Sequence, residues 1–408
     1  MDTDQTRESM SQEYKVQQLR YVTNFKCNSK NCFEVCCNYS GVININIDFY
    51  KQEVPEVVQY FEEDRENERG DWKLKRRAGL GCPMCKDGLC RLQINYGAKY
   101  LPELCYAVPR AFILINEAVY YVVGFALCSE IVKSVLLSDN AFEWSEESVP
   151  RLPVNDCITY KTYNGYKPSE IINLHNVMTS IVDDENFTSE EAVIRLLMIA
   201  QKMDNLHRND CPIITKDIIG SIHKNEVNEL CENIEEGSKR NNVNDKEFIN
   251  KMIYTLLAAA KDRDEADYDL HKGVVDEYTS HIRMIKTYLE NTNSTDRKEK
   301  YKYIKENSNM ENILRKYIKL MLAEKLFPIN ICSTHISEMM FLALKYICAK
   351  IILTINYEKY DNLKNIDEIS KMISINEASL YAGAENMYKF LTETNMANID
   401  VITYLLLE

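Results

Sequence analysis

Several things are scarce in this chain of 408 residues. It has 12 glycines and 9 prolines, too few for a collagen-like or loop-dominated architecture. Lys and Arg together number 49 against 62 Asp and Glu, a formal charge of −13, so general nucleic-acid binding, which needs many cationic contacts to phosphate, is not expected. The longest apolar stretch, residues 111–128, is broken by Asn116 and Glu117, and a membrane span needs about 20 apolar residues. The opening residues Met1-Asp2-Thr3-Asp4-Gln5 lack the basic and apolar regions of a secretory signal. No membrane partner is therefore expected, and a cytoplasmic, reducing location is.

Familiar catalytic strings are missing as well. There is no P-loop, and Gly79, Gly81 and Gly88 neither follow a clear strand nor open a clear helix, which argues against a dinucleotide fingerprint. No His-Glu-x-x-His occurs. The six histidines stand singly, the first at His175, and are read as surface or satisfied core residues.

What the chain does have is cysteine, 14 in all. Five are isolated (Cys157, Cys211, Cys231, Cys332 and Cys348) and read as small buried hydrophobes. The other nine bunch into one region: Cys27, Cys32, Cys36, Cys37, Cys82, Cys85, Cys90, Cys105 and Cys128. Disulfides are disfavoured in a reducing compartment, and core cysteines would not bunch or include an adjacent pair. Metal ligation is the remaining reading. Because no histidine lies nearby, an all-thiolate site suits either a structural zinc or an iron–sulfur cluster, and spacing alone does not choose between them.

Periodicity divides the chain. Residues 1–20 read as a polar segment, loosely ordered or a short helix. Residues 42–47 alternate as a half-buried strand, and 49–69 read mainly as a helix with an acidic, solvated face. Residues 82–90 suggest a hairpin, 91–100 a short helix, and 111–128 a second hairpin turning at Asn116-Glu117. Pro150, Pro153, Gly165 and Pro168 punctuate a boundary between 138 and 168. Beyond it, Thr188-Ser189-Glu190-Glu191 signals a helix start, and apolar stripes at 248–257, 313–322 and 341–352 read as core faces of packed helices. Residues 291–310 read as a polar linker. The expected fold is mostly α: a Cys-rich metal-binding module with short strands and hairpins at 21–138, then a helical bundle at 168–408.

The cysteine region carries a further pattern. Phe25-x-Cys27-(x4)-Cys32-(x3)-Cys36-Cys37 is followed by Cys82-Pro83-(x6)-Cys90. Next come Tyr96-Gly97-Ala98-(x2)-Leu101-Pro102-(x2)-Cys105-(x3)-Pro109-Arg110, and then Ala126-Leu127-Cys128-Ser129-Glu130. Over roughly residues 21–130 this resembles the flagellin lysine-N-methylase family and, more loosely, small Cys-rich zinc- or iron-chelating domains with a terminal Cys-Cys pair. A weaker similarity of layout reaches Glu311-Asn312-Ile313-Leu314 and Leu326-Phe327-Pro328. Asn38-Tyr39 after the Cys-Cys pair and Ser129 after Cys128 depart from the family's usual bulky pair and Cys-Pro.

The resemblance implies methyl transfer from S-adenosylmethionine to flagellin lysines, with a [4Fe-4S] cluster or, alternatively, Zn2+. Its metal-ligand set here is Cys27, Cys32, Cys36, Cys37, Cys82, Cys90, Cys105 and Cys128, with Cys85 as an extra. One cubane takes four thiolates, and only one of Cys36 and Cys37 is expected on a given cluster. The Cys-x3-Cys-x2-Cys spacing of radical S-adenosylmethionine enzymes is missing. Arg110, with its fixed fork of donors, is the candidate for the donor's carboxylate, with a structural salt bridge as the competing role. No base for the lysine ammonium is singled out among 26 tyrosines. Two rival readings do without methyl transfer: a zinc-stabilised scaffold for partner binding, and a metal-handling or electron-transfer protein.

Overall fold

The computed structural model describes residues 13–28, 43–64, 72–75, 82–86, 89–115, 119–153, 158–160, 168–208, 223–241, 272–324, 326, 334–360, 365–382 and 406. These fall into two compact units, one built chiefly from the residues before 163 and one from the helices beyond.

The first unit is organised by a five-stranded sheet. Its strands are β1 (Tyr14–Leu19), β7 (Arg110–Ile115), β8 (Val119–Gly124), β9 (Trp144–Val149) and β10 (Ile158–Tyr160), in the order β10-β7-β8-β1-β9. The hairpin read around residues 116–117 is the antiparallel β7–β8 pair, with Arg110 opposite Gly124 and Ile115 opposite Val119. β1 runs parallel to β8 and antiparallel to β9. Of the segment read as loose or helical over residues 1–20, Tyr14–Leu19 is an interior strand, and residues 1–12 lie outside the described residues. Lys15, Gln17 and Gln18 interrupt the apolar Val16 and Leu19 without a strict alternation, and the strand's pairing partners lie a hundred residues away. Val16, Leu19, Phe112, Ile113, Val122 and Val123 are buried, so both faces of the sheet are covered there.

Around the sheet lie short elements. α1 (Arg20–Thr23) follows β1. β2 (Asn44–Ile45), β3 (Phe61–Glu63) and β4 (Trp72–Leu74) form a small antiparallel sheet, and β5 (Cys85–Lys86) pairs with β6 (Leu89–Cys90). The 82–90 hairpin is thus observed. The long acidic helix read over 49–69 is not. α2 (Ile47–Glu53), capped by Asn46 Oδ1 accepting from Phe49 N at 3.3 Å, stops before Pro55, which opens a 3₁₀ turn to Tyr60 and then β3. Proline has no N–H to donate, so the helix ends there. α3 (Arg91–Tyr96) ends at Gly97, whose φ of 90° is the left-handed conformation that glycine adopts without a Cβ penalty. α4 (Glu103–Ala107) leads into β7, and α5 (Ser129–Leu137) follows β8.

The second unit is helical: α6 (Pro168–Val182), α7 (Ser189–Arg208), α8 (Lys224–Asn241), α9 (Lys272–Asn291), α10 (Ser294–Ser308), α11 (Met310–Glu324), α12 (His335–Tyr360) and α13 (Ile366–Ala382). The helix start read at Thr188 is a reciprocal cap. Thr188 Oγ1 accepts from Glu191 N at 3.2 Å, and Glu191 Oε2 accepts from Thr188 N at 2.7 Å. The stripes of α11 and α12 are buried as expected, and α12 lies among α7, α10, α11 and α13. The stripe read at 248–257 lies outside the described residues. The linker read over 291–310 is largely the helix α10. Asn293 Oδ1 accepts from Asp296 N at 2.9 Å, and this cap starts a helix whose mostly polar sequence carries little apolar signal. Among the described residues no helix is long and apolar enough to cross a membrane.

Several polar side chains form networks deep inside this unit. Asp204 Oδ1 accepts from His335 N (2.9 Å) and lies 2.7 Å from His335 Nδ1, while its Oδ2 accepts from Ile336 N (2.9 Å), so a carboxylate of α7 caps α12. Lys345 donates to Glu377 at 2.5 Å, and Tyr317 donates to the same carboxylate. Asn376 Nδ2 donates to Tyr317 Oη and to the Lys345 carbonyl, both at 3.1 Å.

Candidate functional site

The sheet topology gathers the cysteines. β1 and β8 run parallel and β7 antiparallel to them, so the C-terminal ends of β1 and β8 and the start of β7 share one end of the sheet. Cys27 follows β1 and α1, Cys128 follows β8, and Cys105 sits on α4 just before β7. Loop bonds tie these segments together. Phe125 N donates to Pro109 O at 2.9 Å, and Cys128 N donates to Phe125 O at 3.1 Å. Asn28 Nδ2 donates to Glu130 Oε1 at 3.3 Å, bringing the Cys27 loop to the start of α5. The crevice beyond strand ends is where sheets of parallel strands commonly bind ligands.

The second group lies on the β5–β6 hairpin. Cys85 N donates to Cys82 O at 2.9 Å, closing a tight turn, and Cys85 stands directly opposite Cys90. Directly opposed residues on two strands project to the same face, so Cys85, set aside in the sequence reading, neighbours Cys90. Tyr50 links this group to Cys105. Its hydroxyl donates to Tyr100 O at 2.8 Å. Burial chiefly raises its pKa; the Cys105 and Cys90 thiols push it further up and Arg151 opposes them. Cys90 and Cys105 therefore approach one phenol from two elements.

Among the described residues, Cys82, Cys85, Cys90, Cys105 and Cys128 are half-buried, Cys27 is exposed, and none is in a disulfide. Cys231 is half-buried and Cys348 buried. Cys32, Cys36 and Cys37 lie outside the described residues. No three His, Cys, Asp or Glu side chains among the described residues stand together so as to hold a metal ion, so these residues by themselves do not form a coordination set.

Arg110 opens β7 at the same end of the sheet. Its guanidinium donates to the carbonyls of Tyr106 and Ala107 and lies over the Tyr106 and Phe112 rings, 5.0 and 5.4 Å from their centroids. The sequence reading did not single out Arg151, whose guanidinium carbon lies 4.4 Å from the Tyr106 centroid and which donates to Leu101 O. An arginine between two prolines after β9 gives no signal in sequence, since only the fold returns it to α4. Burial lowers the pKa of both arginines and raises that of Tyr106, which the two cations then draw down.

No family model matches the chain and no solved structure matches it. Two curated proteins do, both named Lysine-N-methylase, from Salmonella choleraesuis (strain SC-B67) and Salmonella typhimurium (strain LT2). Each is 25% identical over 202 residues, covering 47% of this chain and 48% of the relative. The chain thus spans about half the length of the curated relatives it matches. The similarity suggests a relation to lysine methyltransferases.

Proposed function

We propose that this protein methylates lysine side chains of flagellin with S-adenosylmethionine as donor, and that cysteines at the end of the five-stranded sheet hold an iron–sulfur cluster. The observation that carries the reading is the similarity to two proteins named Lysine-N-methylase. The convergence of Cys27, Cys105, Cys128 and Arg110 on one end of the sheet supports placing the chemistry there.

Methyl transfer requires a neutral amine. The ammonium gives up a proton to water, the nitrogen lone pair attacks the methyl carbon, and the carbon–sulfur bond breaks to leave S-adenosylhomocysteine. A half-buried setting favours the neutral amine by penalising the ammonium. Tyr50 and Tyr106, with raised pKa values, stay protonated at neutral pH, so neither serves as the base.

The reading is tested by incubating anaerobically purified protein with labelled donor and flagellin and searching lysines for added methyl mass. Label on lysine supports it, and no transfer by metal-replete protein refutes it. Iron and acid-labile sulfide are assayed on the same sample. Tightly bound zinc without iron refutes the cluster and leaves methyl transfer to be judged by the label.

A further inference from the structure

Two guanidiniums share one aromatic ring at the cysteine-bearing end of the sheet. Arg110 and Arg151 lie 5.0 and 4.4 Å from the Tyr106 centroid. Both are half-buried, and among the described residues neither stands in an ion pair. Arg110 hydrogen-bonds the carbonyls of Tyr106 and Ala107 and the Tyr106 side chain, and Arg151 donates to the carbonyl of Leu101. Arg151 Nε is buried and has no hydrogen-bond partner. The titratable groups that act on Arg151 are Tyr50, Tyr106, Glu103 and Cys105.

Two like charges held together and partly out of water repel, and a buried donor left unmade costs free energy. A structural role satisfies neither demand, because a single arginine stacked on Tyr106 would pin the ring without the repulsion. An anion with two oxygens satisfies both, since a carboxylate accepts side by side from guanidinium donors and neutralises the pair.

We propose that Arg110 and Arg151 together seat a carboxylate, namely that of the amino-acid portion of the methyl donor. This rests on the methyl-transfer reading and adds Arg151 to it as a binding residue. The two cations orient the donor by its carboxylate end. An acidic side chain of the protein substrate presents the same group, and the choice of ligand separates the two sources.

The test is calorimetric and independent of turnover. Binding of S-adenosylmethionine and of its decarboxylated form, which lacks only the carboxylate, is measured on wild-type protein and on Arg151→Gln, Arg151→Lys and Arg110→Gln. We expect the wild type to bind the intact donor roughly tenfold to hundredfold more tightly than the decarboxylated form, the worth of a charge-assisted pair. The Gln variants should lose that margin while binding the decarboxylated form as before, and Arg151→Lys should fall between.

Equal affinity of the wild type for both ligands overturns the inference and leaves methyl transfer standing, with the substrate's acidic side chain as the remaining carboxylate. Equal loss for both ligands in Arg151→Gln assigns Arg151 a purely structural role and overturns it too. Binding of neither ligand by the wild type removes the methyl-transfer reading together with the inference. Should Arg151→Gln melt early, Arg151→Lys and Arg110→Gln carry the comparison, and loss of the margin in neither overturns the inference.

Discussion

His281 gives the structure a calculable sensitivity to acid. It lies on α9, is 6% exposed, and its Nε2 has no hydrogen-bond partner. Asn376 across the bundle is positioned to meet it. The Asn376 amide nitrogen is committed to the Lys345 carbonyl, which only accepts, so the oxygen, likewise without a partner, is the atom left for the imidazole. Asn376 draws the His281 pKa up slightly, but burial dominates and brings it down from 6.5 to about 4.

The sign follows from which state holds the proton. Between about pH 6.5 and 4 the unfolded chain binds a proton at this position and the folded protein does not. The stability is therefore whole above pH 6.5 and drains away as the pH falls toward 4. At 1.36 kcal/mol per pKa unit the loss approaches about 3 kcal/mol, a large share of a typical 5–15 kcal/mol. His175, buried and also lowered to about 4, adds a parallel loss over the same window.

The assay is urea unfolding at stepped pH, comparing wild type with His281→Gln. Gln keeps a donor for Asn376 and cannot titrate. The variant should be about 1.4 kcal/mol less sensitive per pH unit between 6 and 4.5. An unchanged slope would refute the idea that His281 is held neutral by burial.

Other outcomes follow from single contacts. Asp204→Ala strips the carboxylate from two backbone N–H groups and the His335 imidazole at the start of α12. At roughly 1–3 kcal/mol per stranded donor, partly relieved by relaxation, unfolding should be easier by about 3–5 kcal/mol, read as a lowered urea midpoint; a change under about 1 kcal/mol would show that the cap is dispensable. Gly124→Ala places a Cβ 2.8 Å from Ile131 Cδ1 and 3.0 Å from Tyr21 Cε2, beside the Tyr21 hydroxyl that bonds both the N–H and the carbonyl of Gly124. Overpacking of this kind costs about 1–3 kcal/mol, measurable as a lowered melting temperature, and an unshifted melt would mean that Ile131 yields freely.

Legibility in the sequence followed the range of the forces involved. Local signals held: the Thr188–Glu191 cap, the 82–90 hairpin, the hairpin turning after Ile115 and the stripes of α11 and α12 all arise from residues close in the chain. Signals from distant partners did not. β1 lacks apolar alternation strong enough to mark a strand and becomes one only between β8 and β9. α10 has a clear cap and a mostly polar sequence that carries little apolar periodicity. At the candidate site the cysteine spacing flagged the region and could not say that Cys85 faces Cys90. Arg151 was invisible because its neighbours Tyr50, Leu101, Cys105 and Tyr106 precede it by 45 residues or more.

The interior place of β1, between β8 and β9, has a consequence for how the molecule is made. Tyr14 is paired with Val149, so a ribosome must deliver about 130 further residues, roughly ten seconds of synthesis or more, before both flanks of that strand can be covered. Until then its backbone donors and acceptors stay bare, a template for mispairing with any extended neighbour. The polar side chains of Lys15, Gln17 and Gln18, which hid the strand from pattern reading, keep that long wait soluble.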